Sequence, residues 1–215
     1  MDVFVLNKEN SIANHFLAEL RAVDRQQDRL RFRTNMVRLG EIMAYEISKK
    51  LIFETTAIQT PLKGTNMELI KDQPVLITVL RAGLPYFQGF LNYFDKSDSG
   101  FIGAYRKEGQ AEITVQLDYF AAPALQGRDV ILIDPMLATG NSFIRSIAEL
   151  TRHGLPKHIY IAALVSAPEG IHQLDNNLKV SASLFTVAID EMLNKESYIV
   201  PGLGDAGDLS FGDKL

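Results

Sequence analysis

The sequence has no cysteine among its 215 residues, which excludes disulfide bonds and thiol catalysis. It has no apolar run near the ~20 residues that a membrane-spanning helix needs. Its first residues, MDVFVLNKENSIANHF, are interrupted by Asn7, Lys8 and Glu9 and lack the basic-then-apolar order of a signal peptide. We therefore expect a cytoplasmic protein that makes no membrane contact.

An excess of positive charge is missing as well. The chain carries 26 acidic and 22 basic residues, a formal net charge of −4, so no large basic field points to a nucleic-acid partner. Apolar residues make up 47% of the chain, which suits a packed core and argues against disorder. The length favours one domain spanning residues 1–215.

The N-terminal third is predicted to be helical, because apolar residues recur there at helical spacing. A first stripe comprises Ile12, Phe16, Leu20 and Val23, and a longer one comprises Phe32, Met36, Leu39, Met43, Ile47 and Leu51. Charged residues occupy the other face of the longer helix. This pattern is typical of helices that face a core, with a subunit interface as the alternative.

Short apolar strands and helices alternate after this region. The predicted strands are Val75–Leu80, Phe101–Tyr105, Val130–Ile133, Ile159–Val165 and Leu184–Ile189; the predicted helices are Leu84–Phe94, Ser142–Leu150 and Gly170–Leu174. Continuously apolar strands alternating with helices indicate an α/β fold, a parallel sheet with helices on both faces. Ligands of such sheets bind beyond the carboxyl ends of the strands.

Two segments depart from this alternation. Residues 107–128 combine modest alternation with Gly109, Pro123 and Gly127, which predicts a β-hairpin flap leaving the sheet. The C-terminal segment (about residues 190–215) is rich in glycine and aspartate but also apolar, so it is expected to pack.

The stretch VILIDPMLATGNS carries the strongest chemical signal. It places Asp134 at the carboxyl end of a buried strand and follows it with small residues and a helix. Such a turn can point its amides at an anion, and the helix N-terminus adds partial positive charge. Asp134 would then accept hydrogen bonds from sugar hydroxyls. An ordinary turn capped by Asp134 or Thr139 explains the loop alone equally well.

Four motifs in order give a specific resemblance. The loop 134–142 resembles the phosphoribosyl-pyrophosphate (PRPP) loop of type I phosphoribosyltransferases. The usual pair of adjacent acids is replaced by Asp134-Pro135, the pattern of the uracil phosphoribosyltransferase branch. The stretches VLRAGL (79–84), GAYR (103–106) and YIVPGLGDAGD (198–208) resemble that branch too, as do Phe32-Arg33 and APEG (167–170).

The resemblance implies a type I phosphoribosyltransferase core in which the C-terminal segment forms a hood over the base. The implied PRPP-binding residues are Arg81, Arg106, Asp134, Pro135, Met136, Leu137, Ala138, Thr139, Gly140, Asn141, Ser142 and Asp205. The implied uracil-binding residues are Ile199, Gly204, Asp205 and Ala206, acting largely through main-chain atoms. The implied catalytic residues are Asp205 and Arg106.

The implied reaction transfers phosphoribose from PRPP to uracil, giving UMP and pyrophosphate in pyrimidine salvage. Mg²⁺ would arrive with PRPP and have no direct protein ligand. A homodimer is implied, with the N-terminal helices as its candidate interface, and activation by GTP is left open. The alternatives are a pyrimidine-responsive RNA-binding regulator on the same fold and a catalytically silent nucleotide-binding module.

Two further patterns are predicted to carry no site. Residues 202–207 satisfy G-x-G-x-x-G, but the eight residues after Gly207 are too few for the strand, turn, helix and strand of a dinucleotide fold. The four histidines have no metal-ligand spacing and are expected to be structural or exposed.

Overall fold

The computed structural model describes the backbone of residues 1–107 and 114–213, and the side chains of these residues outside 104–118. The described helices are α1 (Ala13–Arg21), α2 (Arg29–Ser48), α3 (Gly83–Tyr93), α4 (Asn141–Arg152), α5 (Pro168–Asn177) and α6 (Ala206–Phe211). The described strands are β1 (Asp2–Val5), β2 (Phe53–Gln59), β3 (Gly64–Ile70), β4 (Val75–Leu80), β5 (Ser99–Lys107), β6 (Thr114–Ala121), β7 (Asp129–Ile133), β8 (Met136–Leu137), β9 (His158–Ser166), β10 (Ala182–Ile189), β11 (Met192–Leu193) and β12 (Ile199–Val200).

The main sheet confirms the predicted α/β class. Its strand order is β1-β10-β9-β7-β4-β5-β6, with the short β8 paired to β9. Every neighbouring pair is parallel except β5 with β6. The carboxyl ends of the central strands therefore meet at one edge of the sheet, where ligands of such folds bind.

Helices cover both faces of the sheet, and for this reason the central strands are apolar at successive positions. Ile131 and Ile133 of β7 pack in a cluster with residues of α1, α2 and α3. Val130 and Leu132 of the same strand face a second cluster with residues of α4 and α5. No helix in the described ranges is long and apolar enough to cross a membrane.

Helices α2 and α3 approach each other at two glycines. A Cβ built on Gly40 would overlap the carbonyl oxygen of Tyr86, and one built on Gly89 would overlap that of Val37. The backbones are therefore in contact, and a larger side chain would force the helices apart. This contact fixes the position of α3, whose first turn follows Arg81.

The predicted helices and central strands are present, with shifts of no more than three residues at their ends. The stripe of α2 is buried from Phe32 to Ile47. The first stripe was partly wrong: Ile12 and Val23 are 60% and 74% exposed, because they lie outside α1. Helix α1 instead buries Ala13, Leu17 and Leu20.

Several elements were not predicted. Strand β1 adds a parallel edge to the sheet, and β2 and β3 form a separate antiparallel hairpin. Nearly all residues of this hairpin are exposed, so neither face shows the alternation that marks a half-buried strand. Strands β8, β11 and β12 have two residues each, too few for any periodicity.

The predicted flap falls partly on β5 and β6. These strands pair antiparallel, and β6 extends the edge of the main sheet instead of leaving it. Residues 108–113 of the flap lie outside the described residues. The flap's role as a cover therefore stays a prediction.

A hydrogen-bonded carboxylate ties α1 to α2. Glu19 accepts bonds from Arg31 Nε (2.7 Å) and Nη2 (2.9 Å) and from Asn35 Nδ2 (2.7 Å). These bonds to Arg31 and Asn35 lower the pKa of Glu19 from 4.5 to about 2. The charged form of Glu19 is therefore favoured in the folded chain.

This contact predicts an acid-sensitive contribution to stability. The pKa of Glu19 is depressed on folding, so its contribution is complete above pH 4.5 and is lost as the pH falls towards about 2. Glu19→Gln should lower the urea midpoint at neutral pH, and its difference from the unsubstituted chain should shrink below pH 4.5.

The matched control is Glu46→Gln, which removes a pair with Lys49 within one exposed turn and should change the midpoint little. A Glu19→Gln difference that is as large at about pH 3 as at neutral pH would contradict the assignment.

Candidate active site

Arg81 and Asp134 follow the ends of two neighbouring strands. Strands β4 and β7 are paired with Thr78 opposite Ile133, and the buried Thr78 hydroxyl donates to the Ile133 carbonyl at 3.2 Å. Arg81 comes directly after β4, and Asp134 directly after β7. Each is followed by a helix, so two helix starts lie at the same edge of the sheet.

The carboxylate of Asp134 bridges the two ends of loop 134–142. One oxygen accepts the amide of Met136 at 3.1 Å, and the other accepts the hydroxyl of Ser142 at 3.4 Å. The Asp134 amide donates to the carbonyl of Ala162 on β9 at 3.1 Å. Asp134 is 8% exposed, so its charge lies at the base of the turn.

The first half of this loop is anchored to β9. The carbonyl of Pro135 accepts the amides of Leu164 (2.9 Å) and Val165 (3.1 Å), and that of Leu137 accepts the amide of Ala167 (2.8 Å). The Leu137 side chain is fully buried. Residues 135–138 therefore hold the loop in place, and residues 139–142 form its turn into α4.

The second half begins α4 with a backbone that only glycine adopts easily. Gly140 has φ +82° and precedes the first helical residue, while the Thr139 hydroxyl accepts the amide of Asn141 at 3.4 Å. The first-turn amides of a helix have no carbonyl partner within it and carry partial positive charge. This arrangement can bind a phosphate.

The start of α5 supports the loop from behind. A Cβ on Gly170 would overlap the carbonyl oxygen of Ala138, and one on Gly140 would lie 2.9 Å from the carbonyl oxygen of Gly170. The two backbones are thus in direct contact.

Helix α5 also contacts the C-terminal segment. The Leu193 amide donates to Glu169 at 3.0 Å and lowers the pKa of that carboxyl. Helix α5 therefore contacts both the loop and the C-terminal segment.

Arg81 is bound to the C-terminal segment. Its Nη2 donates to Asp208 Oδ1 at 3.0 Å and to the carbonyl of Gly212 at 3.3 Å. The Arg81 and Asp208 side chains are 40% and 34% exposed, so the pair borders solvent. Arg81 is thus paired with an acid at the carboxyl end of β4.

The C-terminal segment forms a turn followed by a short helix. Gly202 and Gly204 have φ +61° and +89°, and Asp205 caps α6 by accepting the amides of Gly207 (2.8 Å) and Asp208 (3.0 Å). Of the predicted uracil-binding residues, Ile199 and Ala206 are buried and Gly204 is exposed. Gly204 has no side chain, so among these three residues it is the one whose exposed surface is main chain.

The glycine pattern at 202–207 lies in no dinucleotide-binding unit. The strand before it, β12, has two residues and pairs antiparallel with β11, and the helix after it has six residues. A dinucleotide site needs a parallel βαβ unit around the pattern.

Arg106 lies on β5, opposite Val115 of β6. Its side chain and that of Lys107 belong to the part of the chain whose side chains are not described. Strand β5 neighbours β4 with Gly103 opposite Leu80, so Arg106 is three residues beyond the last paired residue of β4. Its predicted role stays a prediction.

The described residues include no group of three or more His, Asp or Glu side chains that could hold a metal ion. In the loop, both carboxylate oxygens of Asp134 already accept hydrogen bonds. This donor set fits a metal held mainly by substrate oxygens better than a protein cage, which would need several carboxylates.

Three residues at this edge were missed by sequence reasoning. Arg21, Gln26 and Asp190 make hydrogen bonds to the turn at 202–203. Arg21 and Gln26 are more than 160 residues from their partners in the chain, and no local pattern marks such a contact. The apolar stripe of α1 indicates only which face is buried.

The comparisons with known proteins agree with one another. A family model described as uracil phosphoribosyltransferase matches residues 7–213. A uracil phosphoribosyltransferase of Porphyromonas gingivalis is 43% identical over 216 residues, covering 100% of both chains. One from Thermococcus gammatolerans is 37% identical, covering 93% of this chain and 88% of the relative. The solved structure of AQ2163 protein from Aquifex aeolicus superimposes with a TM-score of 0.88 at 27% identity, covering 99% of each chain.

Proposed function

The chain belongs to the uracil phosphoribosyltransferase family. From this premise we propose that it converts PRPP and uracil to UMP and pyrophosphate, a reaction of pyrimidine salvage. We place the reaction at the edge of the sheet described above. One observation carries the placement of the reaction. Loop 134–142, Arg81 and the C-terminal segment meet at the carboxyl ends of β4 and β7. An anion site, a cation and a glycine-rich turn with Gly204 exposed are thus brought together.

The phosphoribosyl group fits loop 134–142. The 5′-phosphate would accept hydrogen bonds from the first-turn amides of α4 and from the hydroxyl of Thr139. Asp134 would accept hydrogen bonds from the ribose hydroxyls. A carboxylate has about four lone-pair sites, so the bonds from Met136 and Ser142 leave room for the sugar.

The pyrophosphate is assigned to Arg81 and Arg106. The planar guanidinium matches paired phosphate oxygens. To reach them, Arg81 must leave Asp208 and Gly212, so binding exchanges one set of charge-assisted bonds for another. We expect Mg²⁺ to enter with PRPP and to neutralise charge on the leaving pyrophosphate.

Uracil is assigned to the main chain of Ile199, Gly204, Asp205 and Ala206. Its edge offers donors and acceptors that match backbone carbonyls and amides, and the glycines let that backbone approach a flat ring closely. A ring nitrogen of uracil would attack the anomeric carbon as pyrophosphate leaves, through an oxocarbenium-like state. Asp205 can accept the ring proton or orient the base.

The RNA-binding alternative has no comparable support. Neither relative described above is named as a regulator, and the net charge is −4. Incubation of the chain with PRPP, Mg²⁺ and a panel of nucleobases tests the proposed reaction directly. UMP should form from uracil, and cytosine and hypoxanthine should be poor acceptors. Efficient use of hypoxanthine, or RNA gel shifts without any turnover, would overturn the assignment.

We also propose a homodimer, with an interface that differs from the one predicted. The apolar stripe of α2 is buried in the chain's own core, so it offers no surface to a second copy. The β2–β3 hairpin instead exposes Ile58, Met67 and Leu69 on one of its faces, and contiguous exposed apolar side chains mark contact sites. Analytical sedimentation measures the association, and a monomer at micromolar concentration would contradict it.

Arg81→Ala should weaken PRPP more than uracil. A charge-assisted hydrogen bond is worth about 1.5–3 kcal/mol, and the lost pair with Asp208 offsets part of this, so we expect KM for PRPP to rise about tenfold. The measurement is initial-rate kinetics with each substrate varied in turn.

The matched control for Arg81 is Arg128→Ala. Arg128 forms a similar pair with Asp98 (2.6 Å) but immediately precedes β7, at the opposite edge of the sheet. Its removal should leave both KM values unchanged. Equal losses for PRPP and uracil in Arg81→Ala would contradict the pyrophosphate role.

Asp205→Asn should separate the charge of Asp205 from its structural role. Because Asp205 caps α6, Asp205→Ala removes a helix cap as well as a carboxylate and should lower the melting temperature. Asparagine keeps an oxygen acceptor for Gly207 and Asp208. We expect kcat to fall by about 10²-fold or more with little change in melting temperature. Near-normal turnover by Asp205→Asn would remove Asp205 from the chemistry.

A further inference from the structure

An ion pair joins α1 to the residue after β10, beside the proposed uracil site. Arg21 Nη2 donates to Asp190 Oδ1 at 2.6 Å and Arg21 Nη1 to Asp190 Oδ2 at 3.0 Å. The Asp190 side chain is 4% exposed and that of Arg21 22%. Both oxygens of a nearly buried carboxylate are thus bound by one guanidinium.

The pair also binds both polar groups of one glycine. Arg21 Nη1 donates to the carbonyl of Gly202 at 3.1 Å, and the amide of Gly202 donates to Asp190 Oδ2 at 2.8 Å. Gly202 has φ +61°, and a Cβ there would overlap the carbonyl oxygen of Ile199. The pair therefore fixes the orientation of a residue that only glycine can occupy, two residues before Gly204.

A second contact fixes the next residue. Gln26 Nε2 donates to the carbonyl of Leu203 at 3.0 Å and to that of Leu20, the residue before Arg21, also at 3.0 Å. Successive carbonyls of the turn, those of Gly202 and Leu203, are thus held by side chains from α1 and the loop after it. The turn is bound by the N-terminal part of the chain rather than by its own neighbours.

We propose that Arg21 and Asp190 are positioning residues for uracil: they set the backbone of residues 199–205 in the orientation that binds the base. This inference rests on the proposed function. When main-chain atoms bind a base, its affinity depends on the orientation of whole peptide groups. If that orientation is lost, a change in one side-chain rotamer cannot restore it. A displacement of about 1 Å at a reacting centre can reduce rate by 10²-fold.

The pair requires arginine. A planar fork can bind both Asp190 oxygens and the Gly202 carbonyl at once, whereas a lysine ammonium is a point donor on a flexible stem. The conservative change Arg21→Lys therefore keeps the buried charge but loses the geometry. This makes it the informative variant, because the chain need not bury an unpaired carboxylate.

With PRPP saturating, Arg21→Lys should raise KM for uracil about tenfold or more, and KM for PRPP should stay within about twofold when uracil saturates. Asp190→Asn should act in the same way. The double variant should be no worse than the more affected single variant, because the two residues form one unit. Additive losses, or equal losses for both substrates, would overturn the proposal.

The matched control is Arg31→Ala. Arg31 also binds an acid through two nitrogens, and its partner Glu19 is on α1 like Arg21. Within the described residues, however, the side-chain hydrogen bonds of Arg31 go to Glu19 and not to the turn. This variant should lower stability and leave KM for uracil unchanged. If it raises KM for uracil as much as Arg21→Lys does, general loosening of α1 explains the effect and the proposal fails.

Amide hydrogen exchange separates this inference from the proposed function. Peptides covering residues 199–205 should exchange faster in Arg21→Lys than in the unsubstituted chain, while those from β7 and β9 should not change. An unsubstituted chain that forms no UMP from uracil refutes the function. Unchanged exchange and unchanged KM for uracil in an active Arg21→Lys enzyme refute the positioning role.

Discussion

A turn that binds phosphate needs amides available to the ligand on one side, while its carbonyls on the other side must be hydrogen-bonded. In the proposed phosphate site, Asp134 makes both conditions possible at the end of a buried strand. Its carboxylate binds the amide at the start of loop 134–142 and the hydroxyl at its end. The carbonyls of Pro135 and Leu137 are satisfied by β9 and the residue after it. What is left facing the ligand is the start of α4. The negative charge that closes the loop is also suited to the sugar hydroxyls of the proposed substrate, so Asp134 would serve both the fold and that substrate.

The N-terminal helices and the C-terminal segment meet at this site. Arg21 and Gln26, near the start, bind the turn at 202–203, and Arg33 of α2 donates to the carbonyl of Ser210 in α6 at 2.7 Å. The N-terminal helices thus pack on the sheet and also hold the C-terminal segment over its edge. The hood consists of the short elements β11, β12 and α6, which make few contacts with one another. Its position therefore depends on its bonds to the N-terminal helices.

The sequence was informative where the physics is local. Apolar runs identified the central strands, helical spacing identified the stripe of α2, and the loop after Val130–Ile133 indicated a candidate site at the strand ends. It was silent where pairing partners are distant. No residue near Arg21 in the sequence indicates that it pairs with Asp190. The hairpin β2–β3 is exposed on both faces, so its sequence lacks the alternation of apolar and polar residues from which a strand is predicted. The N-terminal helix was misjudged at Ile12 and Val23, since an apolar residue beyond a helix end can be exposed.

The contact between Arg81 and α6 links the two proposed substrate sites. Arg81 binds Asp208 and the carbonyl of Gly212, and Asp205, three residues before Asp208, caps the same helix. If a diphosphate binds Arg81, the hydrogen bonds from Arg81 to Asp208 and to Gly212 are lost. These bonds hold α6, whose N-terminal cap, Asp205, is assigned to uracil. Binding of PRPP would therefore change the affinity of this segment for uracil. By thermodynamic linkage, uracil would change the affinity for PRPP by the same factor. Arg21 and Asp190 bind the turn on the other side of Asp205, so they can keep its backbone in place while α6 changes partners.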